Sequence, residues 1–149
     1  MQGAVIHIYH SILDTLFPLT PAGRLVRDTT HTTRHLLSHC TPHETNLGIA
    51  LTRYQSPIIS ACIHAGKFEH NHQALFLLGT VLTHHLSTHH QAATTLLCPI
   101  PLHPKRERER GYNQVTMIAR GATRQGFGIV PLLRRQRHTT PQSHLARTA

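Results

Sequence analysis

The sequence predicts an α/β domain, with a mainly parallel sheet flanked by helices, on three observations. Apolar runs that suit strands, TTLLCPIPL (94–102) and GFGIVPLL (126–133), alternate with segments whose apolar residues recur at helical spacing. Proline and glycine bound these runs, and no polar residue alternates through them, which is the pattern of strands covered on both faces. The chain of 149 residues is also long enough for a core of its own, since a chain of that size buries roughly two thirds of the surface it exposes unfolded.

Taken in order, Val5, Ile8, Tyr9, Ile12, Leu13 and Leu16 recur at three and four, so residues 4–17 read as a helix that Pro18 stops. The Thr- and His-rich segment that follows has little apolar periodicity. It reads as a linker with two short helical turns, which makes residues 1–47 an N-terminal helix and linker and 48–149 the α/β domain. GIALTRY (48–54) reads as a strand, and Ser56-Pro57 as an N-cap with proline at the first helical position, opening a helix to about Lys67. After the polar break EHNH, Leu75, Leu78, Val81, Leu82 and Leu86 predict the longest helix. NQVTMIARGATRQ (113–125) is helical with Val115, Ile118, Ala119 and Ala122 on one side, and TTPQSHLART (139–148) begins a further helix.

Charge is distributed unevenly. The whole chain carries 15 Lys+Arg against 6 Asp+Glu, a formal net charge of +9, which favours an anionic partner such as a phosphate ester, a nucleotide or nucleic acid. From His103 onward there are ten Lys or Arg and two acids, Glu107 and Glu109. Nearly all of that charge is arginine, whose planar fork meets two phosphate oxygens at once, as a lysine ammonium does not.

The sharpest feature is CPIPLHPKRERERGYNQ (98–114), a basic segment directly after a predicted strand. In open α/β sheets ligands sit beyond the carboxyl ends of strands. Lys105, Arg106, Arg108 and Arg110 would therefore supply charge to a phosphate, and Gly111 would allow close backbone approach. Tyr112, Asn113 and Gln114 would form the start of the supporting helix, whose amides add partial positive charge. Glu107 and Glu109 alternate with the arginines, so the empty loop is expected to be partly self-neutralised and mobile, and a polyvalent anion would order it.

PIPLHPKRERERGYNQ, together with LLRRQRHTTPQSHLAR and the upstream LTRYQSPIISACIHAGKF with its Lys67-Phe68 pair, resembles the competence protein F (ComF) family of phosphoribosyltransferase-like proteins. The resemblance covers 48–149 and, more weakly, the ILDTLFP segment at 12–18. It implies a type I phosphoribosyltransferase fold binding 5-phosphoribosyl 1-diphosphate with Mg²⁺, in which fixed cations and a metal stabilise the departing pyrophosphate. It also implies a cytoplasmic protein connected with uptake of external DNA. Gln142 and Arg147 match a family motif to which no chemical role is assigned.

Two family features are missing from the sequence. There is no paired Cys-x-x-Cys unit near the N-terminus, so no structural zinc is expected. No two acidic residues are adjacent, so the acidic pair and Thr/Gly-rich loop that hold the ribose 5-phosphate have no counterpart. The expectation is an incomplete fold of this type, truncated before that motif and without phosphoribosyl transfer. An unpaired sheet edge would invite self-association.

The remaining features are weaker. Sixteen histidines include His84, His85, His89 and His90 on the predicted long helix and a His39-Cys40-His43 cluster. Histidines are spread along the chain while lysine occurs twice, so they read as surface residues and no metal site is assigned. Cys40, Cys62 and Cys98 are odd in number and widely spaced, which fits a reduced compartment and no disulfide framework. The N-terminal apolar stretch lacks the features of a signal peptide or a membrane span. The rival reading is a basic module for single-stranded nucleic acid, with Tyr112 stacking on a base. An aromatic content of 5% provides no repeated stacking platform for it.

Overall fold

Proline sets where three of the helices begin. The computed structural model describes residues 19–29, 33–38 and 40–139, and in it helix α1 (Pro21–Thr29), helix α3 (Pro57–Phe68) and a third helix starting at Pro104 each carry proline in the first turn. A proline at that position loses nothing, because its missing N–H would have had no partner in the helix. Between α1 and α3 lie helix α2 (Thr33–Ser38) and a hairpin of β1 (His43–Thr45) and β2 (Gly48–Ala50). The chain continues through α4 (His72–His89), a 3₁₀ turn (Ala92–Thr94), β3 (Leu96–Leu97), α5 (Pro104–Arg110), α6 (Gln114–Thr123) and β4 (Gly128–Ile129). The predicted helices at 4–17 and beyond Thr139 lie outside the described residues.

The fold is thus mixed: helices with two small sheets, one antiparallel (β1–β2) and one parallel (β3–β4). A mainly parallel sheet is not observed. Residues 94–102 enter a ladder only at Leu96 and Leu97, which oppose Gly128 and Ile129, and Val130 N–H extends the pairing to the Leu97 carbonyl at 2.9 Å. Pro99 and Pro101 lack an N–H, so the ladder has no donor there. Nor are the two runs covered on both faces: Leu96 is 65% exposed and Ile100 64% in the first, and Leu132 70% in the second. GIALTRY also differs from its expected role. Its first three residues pair antiparallel with His43–Thr45, because Asn46 and Gly48 provide a tight turn in which Thr45 Oγ1 accepts from Leu47 N–H and donates to the Gly48 carbonyl.

The chain divides into two units, 1–74 and 75–149. In the first, α1 packs along α3 and touches α2, with Val26, Leu36, Ile59 and Cys62 almost fully buried. The two short helical turns expected in the Thr- and His-rich segment correspond to α1 and α2. Thr20 caps α1 by accepting from Gly23 N–H at 3.0 Å and donates to Glu69 Oε2 at 2.7 Å, tying the start of α1 to the end of α3. Ser56 occupies the N-cap position of α3, but its hydroxyl makes no capping bond and is buried without a partner. Asn71 Oδ1 accepts from Ala74 N–H and opens α4, which is the physical content of the polar break.

In the second unit Leu86, Ala122 and Phe127 form a buried cluster flanked by Leu82, Ala92 and Leu97. Helices α4 and α6 meet backbone to backbone at Gly79 and Gly121: a Cβ on Gly79 would lie 2.9 Å from the Ile118 carbonyl oxygen, and one on Gly121 3.2 Å from the Gly79 Cα. Alanine would ordinarily strengthen a helix interior by about 1 kcal/mol, whereas forcing a methyl into packed backbone costs about 1–3 kcal/mol. Gly79→Ala is therefore expected to lower stability by about 1 kcal/mol in urea titration. A more stable Gly79→Ala protein would contradict this packing.

Candidate functional site

The basic segment begins seven residues after β3, at Pro104, and folds as a two-turn helix. His103 is its N-cap, with Nδ1 accepting from Lys105 N–H at 3.2 Å. The expected mobile loop is instead regular structure. Proline in the first turn fixes the entry, and Arg106 Nη1 donates to Glu109 Oε2 at 3.3 Å across one turn. The acids are therefore part of a helix face.

Helical periodicity separates the four basic side chains. Arg106 and Arg110, four apart, share a face and are half-buried; Lys105 and Arg108, three apart, are both exposed and share the other. Arg106 and Arg110 repel one another. Burial and then the Arg106 charge push the Arg110 pKa below the usual arginine range, opposed by Tyr112 and Glu109. Tyr112 lies beside this pair, and burial raises its phenol pKa while Arg110 lowers it.

Gly111 ends α5 in the left-handed region at φ 77°, where a residue with a Cβ is strained. Open space surrounds the position its Cβ would take, so this glycine is needed for the chain reversal. Asn113 follows as the one buried polar residue among those described. Its Oδ1 accepts from Val115 N–H at 3.0 Å, capping α6, and its Nδ2 donates to the Ile100 carbonyl at 3.0 Å. Asn113 thus joins the strand exit to the helix start. Because it already uses an amide of the first turn of α6, that helix end offers fewer donors to an anion than sequence alone suggested. Gln114 opens α6 with Oε1 buried and unpaired, an unmet acceptor in the protein.

Sequence order gave no sign that a second basic run would meet the first. The His138 ring lies edge-on to that of His103, with centroids 5.1 Å apart. The exposed run Arg134, Arg135 and Arg137 directly precedes His138, and Arg135 Nη2 donates to Thr139 Oγ1 at 2.9 Å. Both halves of this juxtaposition are motif residues, but only a tertiary contact could link them.

Among the described residues no three His, Cys, Asp or Glu side chains converge as a metal site, and no helix is long and apolar enough to cross a membrane. Burial pushes the Cys62 thiol up to about 11, so at neutral pH it is an unreactive apolar side chain. Burial, then His89, His90 and His84, lower the pKa of His85. Comparison with protein-family models, with curated proteins and with solved structures returns no match to this chain.

If Asn113 closes the site as described, Asn113→Ala should cost about 1.5–5 kcal/mol: about 0.5–2 for the lost cap and about 1–3 for the Ile100 carbonyl left without its donor. Asn113→Asp retains an acceptor for Val115 N–H and should fall between wild type and Asn113→Ala. Urea midpoints of the three proteins test that order.

Proposed function

We propose that the chain binds a phosphorylated ribose or pyrophosphate ligand, in the manner of the phosphoribosyltransferase-like competence protein F family, and that Arg106 and Arg110 are its principal cations. One observation carries this reading: a basic helix leaves the carboxyl end of a parallel-paired strand, and Asn113 returns the chain to that strand's exit. In α/β proteins that edge is where ligands collect. Two half-buried guanidinium groups that repel each other gain from a polyvalent anion between them, because one ligand then removes their repulsion and forms charge-assisted bonds to both. Lys105 and Arg108 contribute long-range attraction from the exposed face.

Binding is the activity we assign to these 149 residues, in which no two acidic residues are adjacent. The magnesium that the family resemblance implies would rest on the ligand's own phosphate oxygens. No convergent carboxylate set occurs among the described residues, and Glu109 is engaged with Arg106. The likeness to a type I phosphoribosyltransferase fold belongs to the same proposal, supported by the parallel β3–β4 pair with helices around it.

Calorimetric titration with pyrophosphate tests the reading. Arg106→Ala and Arg110→Ala are each expected to lose about 1.5–3 kcal/mol, roughly 10- to 100-fold in affinity, and Lys105→Ala and Arg108→Ala distinctly less. Equal weak binding in all five proteins would remove the helix from the site. Tighter binding of single-stranded DNA than of pyrophosphate, with steep salt dependence and equal losses in all four variants, would favour the nucleic-acid reading instead.

A further inference from the structure

We propose that His85 and His89, at the C-terminal end of α4, form a two-nitrogen chelate for a late first-row transition-metal dication of the zinc, nickel or copper class, with water completing the coordination. Residues four apart on a helix are neighbours on one face, and these two rings lie 4.6 Å apart between centroids. A tetrahedral ion bound at about 2.0–2.1 Å from each imidazole needs its two nitrogens roughly 3.3 Å apart, a separation open to rings this close. His85 Nδ1 is buried with no hydrogen-bond partner, an unmet polar atom at the same place. The His90 ring flanks the pair, 6.0 Å from His85, and His90 N–H bonds to the Leu86 carbonyl at 2.8 Å, holding the last turn in helical form.

The surroundings select the kind of ion. Between Glu69 and Lys105 the sequence has no Asp, Glu, Lys or Arg, so this stretch of chain offers imidazole nitrogens and no carboxylate of its own. Oxygen-seeking Mg²⁺ and Ca²⁺ find nothing at this position, whereas zinc, nickel and copper favour nitrogen. A dication also sits well at the C-terminal end of an 18-residue helix, where the aligned peptide dipoles present partial negative charge. This site is independent of the anion-binding reading: it uses none of the same residues and takes an ion of opposite sign.

The other histidines provide a background that the experiment has to separate. Calorimetric titration of the full chain with Zn²⁺ at neutral pH is expected to show one 1:1 step tighter than any other. His85→Ala and His89→Ala should each weaken that step by about tenfold or more, and the double variant by little beyond either single one, because a chelate is lost with its first donor. His84→Ala, pointing away from the shared face, should leave the step intact, and Mg²⁺ should produce none. Retention of the tight step in the double variant, or its equal loss in His84→Ala, would overturn the site. Proton NMR of the unmodified chain gives a check that needs no variant: the His85 and His89 imidazole signals should be the first to respond to substoichiometric Zn²⁺, and earlier movement of other histidines would overturn it too.

Discussion

A single side chain, Asn113, determines where the basic helix stands. Its two polar atoms face opposite obligations, one accepting from the first turn of α6 and the other donating to Ile100 at the exit from the paired strand. Buried polar groups persist only when such partners are present, so this amide specifies a particular arrangement of the chain around it. Once residues 100 and 113 are joined, the intervening segment must leave and return to one place. Gly111 permits the reversal, and α5 becomes a projecting turn of helix with fixed ends.

That constraint has an electrostatic consequence. A free loop with alternating arginine and glutamate would neutralise itself pair by pair. A helix with fixed ends groups the same residues differently, and Arg106 takes Glu109 while Arg110 faces Arg106. The solvent-accessible Arg106–Glu109 pair, with Arg106 only half-buried, contributes at most about 1 kcal/mol, too little to hold the arginine against a multiply charged ligand. The repulsion between the two guanidinium groups acts in the ligand's favour, since binding relieves it.

The long helix α4 was legible because its apolar spacing persists over four turns, and α6 because Asn113 precedes an amphipathic run. Other elements were misread for reasons that lie in particular residues. Thr20-Pro21 has the same form as Ser56-Pro57, a capping residue followed by proline, and opens the first of the two short helical segments expected there; its packing on α3 is what composition does not reveal. His103-Pro104 repeats the signal, an N-cap followed by proline, and opens K-R-E-R-E-R as a helix where the sequence leads one to expect a loop. An alternating pattern of charge looks continuous along an extended chain, whereas on a helix residues two apart turn away from each other. Hence Arg108 is parted from Arg106 and Arg110. Strand pairing and the His103–His138 contact join residues more than thirty positions apart, and nothing local encodes them.

The parallel pair itself is too short to be self-sustaining, since isolated two-stranded ladders are marginal even at greater length. Its position must come from the helices. Phe127, immediately before β4, is 2% exposed and lies with Leu86 of α4 and Ala122 of α6, so a buried ring holds the strand at its first residue. Gly79 and Gly121 bring those two helices into backbone contact, which a side chain at either position would prevent. The order of dependence therefore runs from helix contact to ring burial to strand placement, with the ladder orienting what the helices have already positioned. Such a strand can leave Leu96, Ile100 and Leu132 in solvent and still present its end at a fixed place, because side chains on α4 and α6 do the holding. The basic helix inherits that fixed position through Asn113, although no part of α5 is itself in the core.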